Sequence, residues 1–289
     1  MKKNVIKIFC FLILFLFIGC KSTKLQNISL ITKNEFSCVY QGIEHKVIVD
    51  FPEVVENSPL IIMLHGYGNS ASSFRSTTGF EKHATLQGYT VVWVSGSKNP
   101  KVRTSLPEWN SGLGYNNNDD VGFLVSVVEY FQTNYNTSKE KVFAIGFSNG
   151  AFMTHRLALE ASDVFAGVVS VAGKMPKYVW KNKTKKCNIN VFQITGEKDN
   201  VIPKKLDNSV ATAIDPAIED VIEYYVQANE LEIKEDVKIA SSTLTKYKSN
   251  FSDKKIFHLL VAEGNHSWPT EQINGIDTNK LILEFLKSI

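Results

Sequence analysis

The chain has 289 residues, of which 44% are hydrophobic and 21% charged. That composition supplies a packed core and excludes intrinsic disorder, a collagen-like repeat and a disulfide-dense miniprotein. The formal charge of +3 is local: Lys2, Lys3 and Lys7 lie in a leader without acids, and the remaining bases balance the 29 acids. Apart from the short polar run 181–186 no basic cluster exists, so nucleic acid is not expected as a partner.

The leader is a charged segment, residues 1–7, followed by a twelve-residue apolar run that ends before Cys20. Twelve residues make about 18 Å of helix, short of the roughly 20 residues a bilayer core requires. Residues 1–19 therefore read as a cleaved secretory signal peptide rather than a transmembrane anchor. Leu16-Phe17-Ile18-Gly19-Cys20 resembles a bacterial lipobox, with Phe17 where an aliphatic residue is usual. The resemblance implies a lipid on Cys20 and an exported protein anchored to a membrane, in the periplasm or at the cell surface; free secretion is the alternative. Residues 20–35 then form the lipidated cysteine and a polar tether, and residues 36–289 one folded domain. Cys10 departs with the leader. Cys38 and Cys187 remain, either to pair in an oxidising compartment or to pack as small hydrophobes. No cysteine or histidine spacing suggests a metal, and no cofactor is expected.

Strands and helices alternate along the rest. Phe36–Tyr40 and Lys46–Phe51 flank Gly42 as an opening hairpin. Pro59–Leu64 is a continuous apolar run, the pattern of a strand buried on both faces of a parallel sheet. Tyr89–Val94, Val142–Ile145, Val168–Val171 and Ile189–Ile194 repeat it. Asp120–Tyr135 puts Val121, Leu124, Val125, Val128 and Phe131 on one helical face, with Asp119 or Asp120 as cap. Ala151–Glu160 is a second helix, and Asp215-Pro216 opens a third that ends at Ala228. Thr243–Lys248 and Lys255–Ala262 read as a late strand pair. The alternation predicts a single α/β domain with a mostly parallel, doubly wound sheet and helices on both faces.

Candidate chemistry gathers where strands end. Gly146-Phe147-Ser148-Asn149-Gly150 lies between a buried strand and a helix, the setting of a strained turn that exposes a serine hydroxyl. In the α/β-hydrolase order, acid and histidine follow the serine, which excludes His45, His65 and His83 as base. His155 is two turns down the same helix and points away; His258 lies within a strand. His266 remains, in the loop after that strand. The acid is expected between them, in the segment 194–203; Asp199 fits best, Glu197 is the runner-up, and Asp215 is explained as a helix cap. Oxyanion donors are expected at the backbone N–H of Asn149 and of Tyr67, in the glycine-containing loop His65-Gly66-Tyr67-Gly68. His65 reads as a residue that orients this loop.

These segments resemble the polyhydroxybutyrate depolymerase and feruloyl esterase group of α/β-hydrolases, related to the family-one carbohydrate esterases. The resemblance runs from about Gly42 to Pro269. It rests on His65-Gly66, Asp119-Asp120-Val121-Gly122-Phe123, the Ser148 pentapeptide, Gly196 with Asp199 and Pro203, and Gly264-Asn265-His266-Ser267-Trp268-Pro269. Asn265 and Thr270 stand where the group usually has glycine. The resemblance implies a serine esterase acting on plant-polysaccharide, hydroxycinnamate or polyester esters. In the long loop 96–118, Trp109 and Tyr115, together with Trp268 and Tyr67, are expected as an aromatic wall for substrate; the alternative is that Trp109 pins the loop to the core. A serine peptidase of the same fold and a non-catalytic, glycan-binding surface lipoprotein are the competing functions.

Overall fold

The computed structural model describes residues 24–98, 105–114, 116–202 and 216–289. The segment 1–19 read as a signal peptide and Cys20, together with Tyr115, Pro203 and Asp215, lie outside these residues.

Eleven strands make one sheet: β1 Gln26–Thr32, β2 Glu35–Tyr40, β3 Ile43–Asp50, β4 Leu60–Leu64, β5 Thr90–Val94, β6 Val142–Phe147, β7 Gly167–Val171, β8 Asn190–Gly196, β9 Ile233–Ile239, β10 Ser242–Lys248 and β11 Ile256–Val261. Their order is β1-β2-β3-β5-β4-β6-β7-β8-β11-β10-β9. The six strands from β5 to β11 in that order are parallel; antiparallel strands flank them at both ends. The helices are α1 Ala71–Thr78, α2 Glu81–Ala84, α3 Asp120–Tyr135, α4 Asn149–Glu160, α5 Lys177–Lys181, α6 Ile218–Ala228, α7 Glu271–Asn274 and α8 Thr278–Lys287. No helix among the described residues is long and apolar enough to cross a membrane.

Strand alternation divides the core into two layers. Leu60, Ile62 and Leu64 of β4 pack on the side of α3, α4 and α6. Ile61 and Met63 pack on the side of α1, α2 and α8. Because both faces are covered, the central strands are mostly apolar, and the expected apolar runs fall on them; the buried polar residues they do carry, Thr90, Ser170, Asn190, Gln193 and Thr195, are the exceptions. The hairpin between β2 and β3 turns through Gln41 and Gly42 at φ +48° and +85°, the left-handed pair that a two-residue connection requires. Asp119 caps α3 by accepting from the Gly122 N–H at 3.0 Å.

Two expectations need correction, and one alternative is decided. The segment read as a polar tether contains β1, which pairs with β2 although all seven of its residues are exposed. An edge strand with neither face buried leaves no period-two signal to find. β9 is the other edge: Lys234, Glu235, Asp236 and Lys238 are exposed, while Val237 and Ile239 on one face are half-buried against the core. The helix expected from Asp215 begins at Ile218, with Ala217 extended and its N–H donating to Asp220 Oδ2 at 2.9 Å. Cys38 and Cys187 are both free and buried, and burial pushes their thiols up to about 12 and 11.

Three histidines are built into this interior. His45 stacks on Phe123 at 3.7 Å and donates through Nδ1 to Ser95 O. His155 lies fully buried on α4, between the Tyr225 hydroxyl and Gln193 Oε1, each at 3.1 Å. Gln193 Nε2 donates to Gly173 O at 2.8 Å, which fixes the amide orientation. Nε2 of His155 is therefore the donor to Gln193, and Nδ1 accepts from Tyr225. Burial draws His45, His65 and His155 each down to about 4, and pushes the carboxyl of Asp120 up to about 6.

The sign of the resulting pH dependence follows. Between pH ~6.5 and ~4 the unfolded chain binds protons at three histidines that the fold keeps neutral. Below pH ~6 the folded state takes one proton on Asp120 and offsets one of these. Stability is thus present above pH ~6.5 and lost as the pH falls, with a net slope near pH 5 of roughly two protons, on the order of 3 kcal/mol per pH unit, from these four groups. Urea-unfolding midpoints measured at pH 7, 6 and 5 should fall accordingly. The same series on His155→Gln should flatten by about one proton, and an unchanged slope would contradict the burial of a neutral imidazole at this position.

Candidate active site

Ser148 sits between β6 and α4 at φ +52°, ψ −115°, a conformation that costs a non-glycine residue about 1–3 kcal/mol. The two flanking glycines make it sterically attainable. A side chain at Gly146 would collide with Gly150 O, and one at Gly150 with Leu64 O and His65 O. The Ser148 N–H donates to Val171 O at 3.0 Å, tying the turn to the neighbouring strand.

The other two residues arrive on loops that leave β8 and β11. A side chain at Gly196 would meet the carbonyls of Gly264 and Asn265, and the Lys198 N–H donates to Gly264 O at 2.8 Å. This close main-chain contact brings Asp199 to His266. Asp199 Oδ2 lies 2.8 Å from His266 Nδ1, and His266 Nε2 lies 3.0 Å from Ser148 Oγ. The Asp199 side chain is 1% exposed and that of His266 17%. Asp199 Oδ1 accepts from the N–H groups of Val201 and Ile202 at 2.9 and 2.8 Å. With the carboxylate an acceptor, Nδ1 of His266 holds the proton and the Nε2 lone pair faces the serine. Glu197 is exposed and accepts from the Glu263 N–H at 3.2 Å, so it takes no part in this line.

The loop after β4 crosses over the serine. A Cβ on Gly66 would lie 3.3 Å from Ser148 Cβ, which puts the neighbouring Tyr67 at the mouth of the site. Neither the Tyr67 N–H nor the Asn149 N–H is engaged among the described residues. His65 is fully buried; its Nδ1–H donates to Gly66 O at 2.7 Å and its Nε2 accepts from the Gly96 N–H at 2.9 Å. Both ring nitrogens are occupied by the backbone, so this imidazole holds loops and cannot act as base. His258 Nε2 is 3.3 Å from Thr195 Oγ1 within the sheet.

The expected aromatic wall is not formed by the tryptophans. Trp109 is 2% exposed and Trp268 8%, leaving no face for a ligand to stack on. Trp109 Nε1 donates to His65 O at 2.9 Å. Trp268 Nε1 donates to Asn279 Oδ1 at 3.1 Å, and its ring meets Phe74 edge-on. A buried indole must place its N–H on an acceptor, and here both acceptors belong to the scaffold. The exposed apolar side chains beside the Ser148 turn are Tyr67 and Leu106; Tyr178, also exposed, lies against Gly112 farther along α4. Leu106 contacts Gly68. Leu106 and Tyr178 carried no sequence signal, because one stands in an irregular loop and the other on a five-residue helix. No group of three or more histidine, cysteine or acidic side chains suited to a metal occurs among the described residues.

Comparison with known proteins places the fold and the family. The profile of the phospholipase/carboxylesterase family matches residues 45–246. The chain is 34% identical over 125 residues to the acetylxylan esterase of Coprinopsis cinerea, spanning 41% of this chain and 32% of that one. It is 32% identical over 115 residues to the feruloyl esterase B of Thermothelomyces thermophilus, spanning 39% and 38%. The chain thus spans about a third of the length of the curated relatives it matches. The solved acetyl xylan esterase from Aspergillus awamori shares the fold, with a TM-score of 0.63 at 12% identity over 85% of this chain and 94% of that one. The match covers most of the sheet, including the Ser148 turn and the Asp199 loop, and the chain belongs to the phospholipase/carboxylesterase family.

Proposed function

We propose that this protein is a serine esterase that cleaves carboxylic esters through an acyl-enzyme on Ser148. The observation that carries the reading is the unbroken line Ser148 Oγ–His266 Nε2–Asp199, with spacings of 3.0 and 2.8 Å, set at the strained turn where β6 becomes α4. His266 takes the serine proton as Oγ attacks the ester carbonyl and returns it to the departing alcohol. Water, deprotonated by the same nitrogen, then releases the acid and regenerates the serine. Asp199 fixes the tautomer and offsets the charge of the imidazolium. The Tyr67 and Asn149 amides stabilise the oxyanion of each tetrahedral intermediate.

The relatives named for acetylxylan and feruloyl esters suggest an acetyl or hydroxycinnamoyl ester on a plant polysaccharide; a hydroxyalkanoate ester is the other substrate in view. Tyr67 and Leu106 offer an apolar rim for such a group. We further propose that Cys20 carries a lipid that holds the exported enzyme to a membrane, on the strength of the apolar leader and the residues before that cysteine.

Ser148→Ala and His266→Ala should each lower kcat on p-nitrophenyl acetate by about 10⁴- to 10⁶-fold, with a smaller loss for Asp199→Ala. Near-normal turnover by folded Ser148→Ala would refute the mechanism, and faster cleavage of amides than of matched esters would favour a peptidase. Activity should survive dialysis against EDTA; a loss restored by a divalent metal would refute the metal-free scheme. Native protein should partition with membranes and show an acylated N-terminus at Cys20 by intact mass. A Cys20→Ala variant should lose that acylation, whereas an unmodified N-terminus near residue 20 of the native protein would leave a freely secreted enzyme.

A further inference from the structure

The two amides assigned to the oxyanion belong to different loops, one leaving β4 and the other leaving β6. Sheet hydrogen bonds fix the spacing of these strands but not of the main chain beyond their ends. A third segment, residues 105–114, lies against both loops, and Trp109 is where it touches each. The Trp109 indole N–H donates to His65 O at 2.9 Å, on the peptide that leads into Gly66 and Tyr67. The Trp109 backbone N–H donates to Asn149 Oδ1 at 2.7 Å, and Asn149 Nδ2 donates back to Trp109 O at 3.3 Å. The second hydrogen of Nδ2 goes to Ser111 Oγ at 3.2 Å. The Asn149 carboxamide is thus fully used, and Trp109 and Asn149 are 2% and 4% exposed.

Further bonds fix the bridging segment. The Gly68 N–H donates to Pro107 O and the Glu108 N–H to Ser97 O, at 2.8 and 2.9 Å. The Asn110 N–H donates to buried Asp120 Oδ2 at 2.6 Å, and Arg156 donates to Asn110 O from the flank of α4. Trp109 and the Asn149 side chain are buried, so neither is placed to hold a ligand.

We infer that Trp109 and the Asn149 carboxamide form a clamp that sets the separation of the Tyr67 and Asn149 amides, and that both side chains are positioning residues for oxyanion stabilisation. The inference rests on the esterase reading of Ser148. Negative charge reaches these amides only in the tetrahedral state, so a displaced amide weakens the transition state and leaves substrate binding alone. Displacement by about 1 Å is enough for a loss on the order of 100-fold.

The test uses the mature protein with p-nitrophenyl acetate. Trp109→Phe keeps a core ring and removes the indole donor; Asn149→Ala removes the carboxamide and keeps the backbone amide. Each should lower kcat by about 10- to 100-fold with KM unchanged. The double variant should lose no more than the worse single one, since both cut the same clamp. A trifluoromethyl ketone, which forms a tetrahedral adduct on the serine, should bind more weakly by the factor lost in kcat/KM, while inhibition by acetate stays constant. A merely structural role would lower the melting temperature without this selective loss. Full kcat in folded Trp109→Phe, a loss carried by KM, or losses that multiply in the double variant would overturn the clamp. If Trp109→Phe does not fold, Asn149→Ala gives the same kcat and adduct comparison. Active Ser148→Ala would overturn the esterase reading itself, whereas inactive Ser148→Ala beside a fully active Trp109→Phe would overturn the clamp alone.

Discussion

Everything at the candidate site depends on how closely main chain passes main chain at the ends of β4 and β6. Gly150 lies against the carbonyls of Leu64 and His65, and Gly146 against the carbonyl of Gly150. That approach forces the chain to reverse between strand and helix within one residue, which drives Ser148 to positive φ and lifts its hydroxyl clear of the sheet. The same reversal starts the twelve-residue α4 directly behind the serine. Its unpaired N-terminal N–H groups and the positive end of its dipole are then directed at the place where an oxyanion would form. Strain and electrostatic assistance have one origin here, and a Cβ on either glycine would remove both.

Asp199 and His266 are joined by the same device used a second time. Gly196 and Gly264 let the loops after β8 and β11 touch through their backbones. Neighbouring parallel strands would otherwise hold the loops at strand spacing, with side chains interposed. With that gap closed, Asp199 reaches His266 while its second oxygen is retained by two amides of its own loop. The carboxylate is buried without being unsatisfied, so the desolvation cost of placing it there is offset by three hydrogen bonds.

These features differ in how far the amino-acid sequence discloses them. The central strands are legible because burial on both faces makes them mostly apolar, and the Ser148 turn because its steric demand is met by glycines at fixed offsets. The order of serine, acid and histidine then leaves few candidates for the partners. β1 escapes because an edge exposed on both faces imposes no alternation, and β9 because Glu235 interrupts the apolar face made by Ile233, Val237 and Ile239. The tryptophans mislead for a different reason. An indole near a predicted cleft is consistent with stacking on a ligand or with anchoring a loop, and only the location of an acceptor decides. For Trp109 that acceptor is the carbonyl of His65, 44 positions earlier, and local pattern carries no trace of it.

Accounting for donors and acceptors also explains why one histidine is suited to chemistry while others serve the scaffold. His65 lies between a carbonyl and an amide N–H, and His155 between a phenol and a carboxamide. Neither environment contains a group able to balance an imidazolium, so in both places the interior holds the ring neutral. His266 is placed differently: a buried carboxylate lies 2.8 Å from one nitrogen, and the other faces a hydroxyl at the solvent edge. A proton arriving at Nε2 creates a charge that already has its counter-ion, in a position that needs no rearrangement. A histidine can act as general base only where its charged form is supported as well as its neutral one. Burial alone, which all three rings share to some degree, therefore does not select the base; the carboxylate behind the ring does.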